Sequence, residues 1–426
     1  MTSSSLCALA ETYRRGRTKQ GIASICSAHP LVLRAAIAQA VRAGSTVLIE
    51  ATCNQVNHQG GYTGMQPADF AALVQGIAEE EGLPRERLLL GGDHLGPNPW
   101  RRQDAESAMR EAEAMVAAYV EAGFTKIHLD ASMGCAGEPD GLDDETTAHR
   151  AARLAKAAED AARRSGGVLP VYIIGTEVPP PGGADHALSA IEPTGPEAAR
   201  RTIAVHREIF EQAGLADAFS RVIGLVVQPG VEFGNENVIL YDRDKACALT
   251  GVLAHEPQFV FEAHSTDYQG RAPLRQLVED GFAILKVGPE LTFALREALY
   301  GLDLVASDLI EGYGDRPLYH AMEALMLAEP QDWNRHYGGT AANQRLQRHY
   351  SYSDRIRYYW ARPQAREAVE RLFGALSGVT LPVTLLRQHL PNFVGLADRP
   401  ADPEAIARAA VGQVVADYHY ACTGEN

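Results

Sequence analysis

What most constrains this chain is an alternation. The short runs "GIASICSAH", "STVLIEAT", "RLLLGGDH", "TKIHLDAS", "PVYIIGTE", "RVIGLVVQP", "PQFVFEAHS" and "FAILKVGP" are each followed by a longer helical pattern, such as "PLVLRAAIAQAVRAG" or "DAESAMREAEAMVAAYVEAG". Strands that are nearly apolar throughout and alternate with helices belong to a parallel sheet covered on both faces. Eight such units are the count of a closed barrel of strands ringed by helices. An open, doubly wound sheet is the competing arrangement, but no G-x-G-x-x-G follows the first strand, and eight equal units favour closure. The pattern therefore predicts an α/β fold, a (β/α)8 TIM barrel over residues 1–310. Beyond residue 310 the strand pattern stops. Helical stretches broken by prolines, as in "ARPQ" and "ADRPADPEA", predict a helical extension over 311–426 packed on the barrel.

With 426 residues, 46% of them hydrophobic, the chain can bury a large core. Its net charge of −15 disfavours a nucleic-acid partner, because phosphate backbones are bound through concentrated Lys and Arg. No apolar run approaches the roughly 18 residues of a membrane span. The start "MTSSSLCALAETYRRGRTKQ" lacks the charge, apolar core and cleavage-site order of a secretory signal. A cytoplasmic protein without a membrane partner is expected. Cys7, Cys26, Cys53, Cys135, Cys247 and Cys422 form no C-x-x-C pair, which fits reduced thiols and gives no support to a zinc finger.

In a barrel of this kind chemistry sits where the strands end. Those ends carry Ser27 and His29, Glu50 and Thr52, Asp93 and His94, His128 and Asp130, Glu177, Gln228 with Glu232 nearby, Glu262 and His264, and Lys286. Taken singly, each is as readily a satisfied polar residue; the signal is their convergence on one mouth. His94, His264, Glu177 and Glu232 form a candidate ligand set for a divalent metal, Zn²⁺ first, with Mn²⁺ or Mg²⁺ if carboxylates dominate. Asp93 is a candidate general base, with orientation of a ligand as its structural alternative. Neighbouring strand residues face opposite ways, so the strand is expected to turn at Gly91-Gly92 and let both Asp93 and His94 reach the site. Glu50, Asp130 and Gln228 are candidate substrate-binding groups at the same mouth. Lys286 could form an imine, bind an anion or pair with Glu262.

Phosphate sites in such barrels use the loops after the seventh and eighth strands. Here these read "HSTDYQG" and "KVGPE", offering Ser265, Thr266 and the backbone at Gly288, with a helix starting near Pro289. Ordinary helix capping explains Ser265 and Thr266 equally well. In "SYSDRIRYYW", Arg355 and Arg357 stand among aromatics, as a phosphate clamp or as interior salt bridges.

The segments "SICSAHPLV", "LIEATCNQVN", "GGYTGM", "GGDHLGPN", "KIHLDASM", "GTEVPPPGG", "QPGVEF", "EAHSTDYQ" and "SDRIRYYW" resemble the GatZ/KbaZ family across nearly the whole chain. That family is in turn similar to the metal-dependent class II aldolases. The likeness makes Asp93-His94 the base and a ligand, matches Glu177 to a glutamate in a motif ending in Gly-Gly, and matches the segment from His264 to Asp267, adding Asp267 to the substrate set. Glu177 is carried both as a ligand and as a second catalytic carboxylate. The remaining aldolase histidine has no counterpart around "QPGVEF", leaving Gln228 or Glu232 to substitute. The resemblance implies one of two roles in galactitol and tagatose catabolism. One is a 4-epimerase acting on D-tagatose 6-phosphate and D-fructose 6-phosphate by retro-aldol chemistry. The other is a non-catalytic partner of the aldolase subunit GatY/KbaY. The convergence of Asp93, His94, Glu177 and His264 favours the enzyme. Barrels of this kind often pair, so a homo-oligomer is compatible with either role.

Overall fold

In the computed structural model, residues 6–16, 19–175 and 191–425 are described. Eight parallel strands close a barrel: β1 (Ile22–Cys26), β2 (Val47–Thr52), β3 (Leu88–Leu95), β4 (Lys126–Leu129), β5 (Val171–Ile174), β6 (Val222–Val227), β7 (Val260–Ala263) and β8 (Ile284–Val287). Each strand pairs with its neighbours in sequence, and β8 pairs with β1. The (β/α)8 fold expected from the alternation is the fold observed. Helix entries are built locally. Asp104 caps the helix Ala105–Glu121, and His29 caps Pro30–Ala43 through Nδ1, which accepts from Leu31 N at 3.2 Å. Burial pushes His29 down to about 4, which keeps it neutral and able to accept. Ser27 Oγ in turn accepts from His29 N at 3.2 Å, so both residues shape a helix entry.

Strand alternation separates two environments. In β4, Ile127 and Leu129 pack outward into the core under the helices, while Lys126 and His128 share the inward face. The lower interior is apolar: Leu48, Leu89, Val171, Ile173, Val260 and Ile284 cluster with Leu6, Leu9 and Ala10 from the N-terminal helical segment. Among the described residues this apolar cluster fills one end of the barrel, and the pocket opens at the opposite mouth.

The extension after residue 310 is helical and returns to the barrel. Its last helix, Pro403–Thr423, lies against Pro30–Ala43 and Pro289–Leu309. Cys422 O accepts from Gly21 N at 2.9 Å, and Tyr418 OH lies 3.0 Å from Thr266 Oγ1. Among the described residues no helix is long and apolar enough to cross a membrane, and all six cysteines are free.

Candidate active site

Above the apolar plug the barrel interior becomes ionic. Lys126 Nζ lies 2.7 Å from Glu50 Oε1 and 2.7 Å from Glu262 Oε2, and all three side chains are fully buried. Lys286 Nζ contacts Glu50 and lies 2.9 Å from Asp93 Oδ1. Burial pushes both carboxyls up and both ammonium groups down, yet mutual attraction wins: Glu50 and Glu262 stay below their ordinary values, Lys126 and Lys286 above theirs. Lys286 is therefore a charged ion-pair partner here, and the lone pair that imine formation needs is protonated.

The register explains the first glycine of "GGDH". Glu50 stands opposite Gly91, and Gly91 opposite Lys126. Gly91 thus sits between the two partners, and a Cβ there would come within 2.5 Å of Glu50 Oε1. Only a hydrogen leaves room for the carboxylate to reach across. Gly92 is crowded in its turn by Leu95 Cδ1 at 2.5 Å and Tyr119 Cδ1 at 2.9 Å. Gly91→Ala should displace Glu50 from Lys126 and lower stability by roughly 3 kcal/mol or more, the scale of a broken buried ion pair. Chemical denaturation measures this; a loss under about 1 kcal/mol would mean that the pairing survives the added methyl.

Three histidines stand over the ionic layer. The ring centroids of His94, His128 and His264 are 4.8 to 5.3 Å apart. Each has one nitrogen on a carboxylate: His94 Nδ1 on Asp130 Oδ2 at 2.9 Å, His128 Nδ1 on Asp93 Oδ1 at 3.0 Å, and His264 Nε2 on Glu262 Oε1 at 2.9 Å. The strand does not turn at the glycines. It turns at His94, which has a φ of 90° beside a break in the β3–β4 register, and this brings Asp93 and His94 to one side. A left-handed conformation at a non-glycine residue costs energy and recurs at functional sites. Burial lowers His94, but Asp93 and Asp130 outweigh it and raise the ring; burial dominates at His264, which falls to about 4.

These residues suit a divalent cation. Ligand atoms of Asp93, His94, His128 and His264 lie within 4.8 Å of one another. His128 Nε2 is buried and has no hydrogen-bond partner among the described residues. A carboxylate on the far nitrogen of each imidazole is the arrangement that orients metal-binding histidines. A second grouping, Cys26 with Glu50 and Asp93, is already filled by the Lys286 ammonium.

The cluster opens into a pocket lined by Asp93, His94, His264, Ser265, Asp267, Lys286 and Gly288 from the barrel, and by Arg357 and Tyr358 from the extension. Several candidates stand elsewhere. Glu232 Oε1 accepts from Phe233 N at 3.0 Å and is outside the metal-competent group. Gln228 Oε1 closes its own turn on Gly230 N and Val231 N at 2.8 and 3.0 Å. Thr266 Oγ1 donates to Lys286 O at 2.6 Å, a structural bond. The backbone donors expected for phosphate are taken: Gly288 N and Glu290 N both donate to Asp267 Oδ1, at 3.0 and 2.8 Å. Asp130 acts behind His94, and Glu50 lies beneath the pocket. Arg355 points away and donates to Asp332 O at 2.9 Å; its neighbour Arg357 faces the pocket instead. Glu177 lies outside the described residues.

Residues 6–423 match the family described as D-tagatose-1,6-bisphosphate aldolase subunit GatZ/KbaZ-like. It belongs to that family. A GatZ/KbaZ-like chain of this sequence is also similar to a protein of Agrobacterium fabrum named D-tagatose 6-phosphate 4-epimerase, with 63% identity over 412 residues, 97% of each chain. A crystal structure of a probable tagatose 6 phosphate kinase from Sinorhizobium meliloti superposes with a TM-score of 0.87 at 57% identity, covering 95% of this chain and 100% of that one. In this GatZ/KbaZ-like chain the cluster contains a third imidazole, His128, which was not among the ligand candidates read from the sequence. Its signal was present: Lys126, His128 and Asp130 are polar at every second position of an otherwise apolar strand, the mark of a polar row on the inward face.

Proposed function

We propose that this protein is a metal-dependent 4-epimerase that interconverts D-tagatose 6-phosphate and D-fructose 6-phosphate by retro-aldol cleavage and re-addition. The observation that carries the reading is the trio of carboxylate-backed histidines beside Asp93 at the mouth of a small-molecule pocket. The name borne by the Agrobacterium relative supplies the sugar. His94, His128 and His264 would hold the cation, zinc by their donor chemistry. Bound there, it would polarise the ketose carbonyl and stabilise negative charge on oxygen.

The chain's own groups divide the remaining work. Asp93 takes the proton of the C4 hydroxyl. The C3–C4 bonding pair moves toward the C2 carbonyl, leaving an enediolate on C1–C3 and an aldehyde on C4–C6. Rotation of the aldehyde presents its other face, the C3–C4 bond re-forms, and Asp93 returns the proton. With no cation bound, burial pushes the Asp93 carboxyl up, but the charges of His94 and Lys286 and the His128 hydrogen bond hold it well below the usual carboxylate range; a cation on a neutral His94 would supply positive charge in place of the imidazolium. It is therefore ionised at neutral pH, the state a general base needs. Asn54 and Ser265 line the pocket as hydrogen-bonding groups for sugar hydroxyls.

The test is incubation of the purified protein alone with D-tagatose 6-phosphate, with and without a chelator, while fructose 6-phosphate is followed in a coupled assay. Conversion should be lost to the chelator and restored by Zn²⁺, Mn²⁺ or Mg²⁺. No conversion with any of the three would favour the non-catalytic aldolase subunit in the family's description. Adding ATP tests the kinase name of the Sinorhizobium structure, which requires ATP consumption with this sugar phosphate.

A further inference from the structure

The buried basic groups of the barrel are committed. Lys126 and Lys286 are each neutralised by carboxylates, and the helix N-terminus at Gly288 and Glu290 is capped by Asp267. Arg357 is different. It comes from the extension, lines the pocket with Tyr62 and Tyr358, and among the described residues has no carboxylate within ion-pair distance. Its Nη1 is held by the carbonyls of Ser353 and Asp354, the latter at 3.1 Å, and Nη2 donates to Tyr358 OH at 3.1 Å. The guanidinium carbon lies 4.6 Å from the Tyr358 ring centroid, so the plane is fixed on both its edge and its face. Nε and the second hydrogen of Nη2 have no acceptor among the described residues. Asp267 and Asp354 feel its charge at longer range, but none of the described carboxylates pairs with it directly, and an oriented arginine with spare donors is the chemistry that recognises a phosphate.

Its aim is built into the chain. Asp354 adopts a left-handed φ of 44°, and its carboxylate is gripped by Thr292 Oγ1 at 2.7 Å and Arg296 Nε at 3.1 Å, both on the helix that follows β8. That buried anchor turns the next short helix, Arg355–Tyr359, so that Arg355 points away and Arg357 points into the mouth. The extension therefore completes the pocket that the barrel begins.

Building on the epimerase reading, we propose that Arg357 recognises the phosphate of the ketose 6-phosphate and sets the preference for phosphorylated over unphosphorylated sugar. The phosphate then sits at the extension wall, with the C3–C4 bond at the histidine floor. This assigns to the extension the role that the β7 and β8 loops play in other barrels.

The test compares the wild-type protein with Arg357→Gln and Arg357→Lys. It measures turnover of D-tagatose 6-phosphate and of D-tagatose, and calorimetric binding of D-tagatose 6-phosphate and of inorganic phosphate. For Arg357→Gln, kcat/KM on the phosphorylated sugar should fall about 100-fold, mostly through KM, while that on D-tagatose changes less than about threefold. Inorganic phosphate should compete with the substrate in the wild type and not in this variant, and Arg357→Lys should recover part of the affinity. Equal losses on both sugars, or unchanged phosphate binding, would overturn the proposal. Binding separates it from the activity reading: a wild type that turns over nothing yet binds sugar phosphate through Arg357 keeps this assignment and loses the epimerase. A wild type that binds neither ligand refutes the assignment. Circular dichroism and the melting temperature check that both variants fold.

Discussion

Asp93→Asn should lower the interconversion rate of D-tagatose 6-phosphate and D-fructose 6-phosphate by about 10³-fold, within the range for removing a general base. The amide retains a hydrogen-bond acceptor for His128 Nδ1, now 3.0 Å from Asp93 Oδ1. It removes the charge that takes the C4 proton and that faces Lys286 Nζ at 2.9 Å. The ammonium keeps Glu50 as a partner, so the barrel should fold. Substrate affinity should change little, because no reacting proton moves on binding, and the loss should fall on kcat. The measurement is steady-state kinetics together with calorimetric binding of the sugar phosphate. Activity within about tenfold of wild type would remove Asp93 from the acid–base role and leave it as an orienting partner of His128.

The second large effect concerns the third imidazole. His128→Ala should cost at least about 100-fold in affinity for the divalent ion, because it deletes one of three nitrogen donors. Glu232→Gln should leave metal content unchanged, since Glu232 lies outside the cluster and its carboxylate accepts from Phe233 N. Metal analysis after dialysis, followed by zinc titration of the stripped proteins, compares them directly. If Glu232→Gln loses the ion and His128→Ala keeps it, the ligand set drawn from the geometry is wrong. Loss of activity alone decides nothing here, because His128 also holds Asp93 in place.

Much of the architecture is legible in the chain because it depends on short-range pattern. Apolar runs such as "RVIGLVV" and "VLIEA" alternate with alanine-rich helices, and burial on both faces of a parallel strand leaves few other solutions. The place of the chemistry follows from the same rule, since strand ends must form the open mouth; Asp93, His94 and His264 were found there. Partner choice was less legible. The sequence puts His128 on the inward face at the mouth but does not pick it out as a ligand; its contact with Asp93 depends on neighbouring strands and on a backbone break at His94 that no local signal announces. Thr266, Asp267 and Gly288, candidates for substrate or phosphate contact from the sequence, also hydrogen-bond to one another's elements in the fold. Arg355 and Arg357 differ by two residues in one aromatic segment, yet a short helix with fewer residues per turn than an α-helix sends them to different surroundings.

The sequence by itself thus determined the barrel, the end that carries chemistry and the residue types gathered there, because alternation and strand polarity are properties of neighbours along the chain. Only the tertiary structure decided which histidines face one another, which lysines are already neutralised and which arginine remains to meet an anion. Those outcomes depend on register, on a strained turn at His94 and on an extension that returns from residues far along the chain to close the pocket.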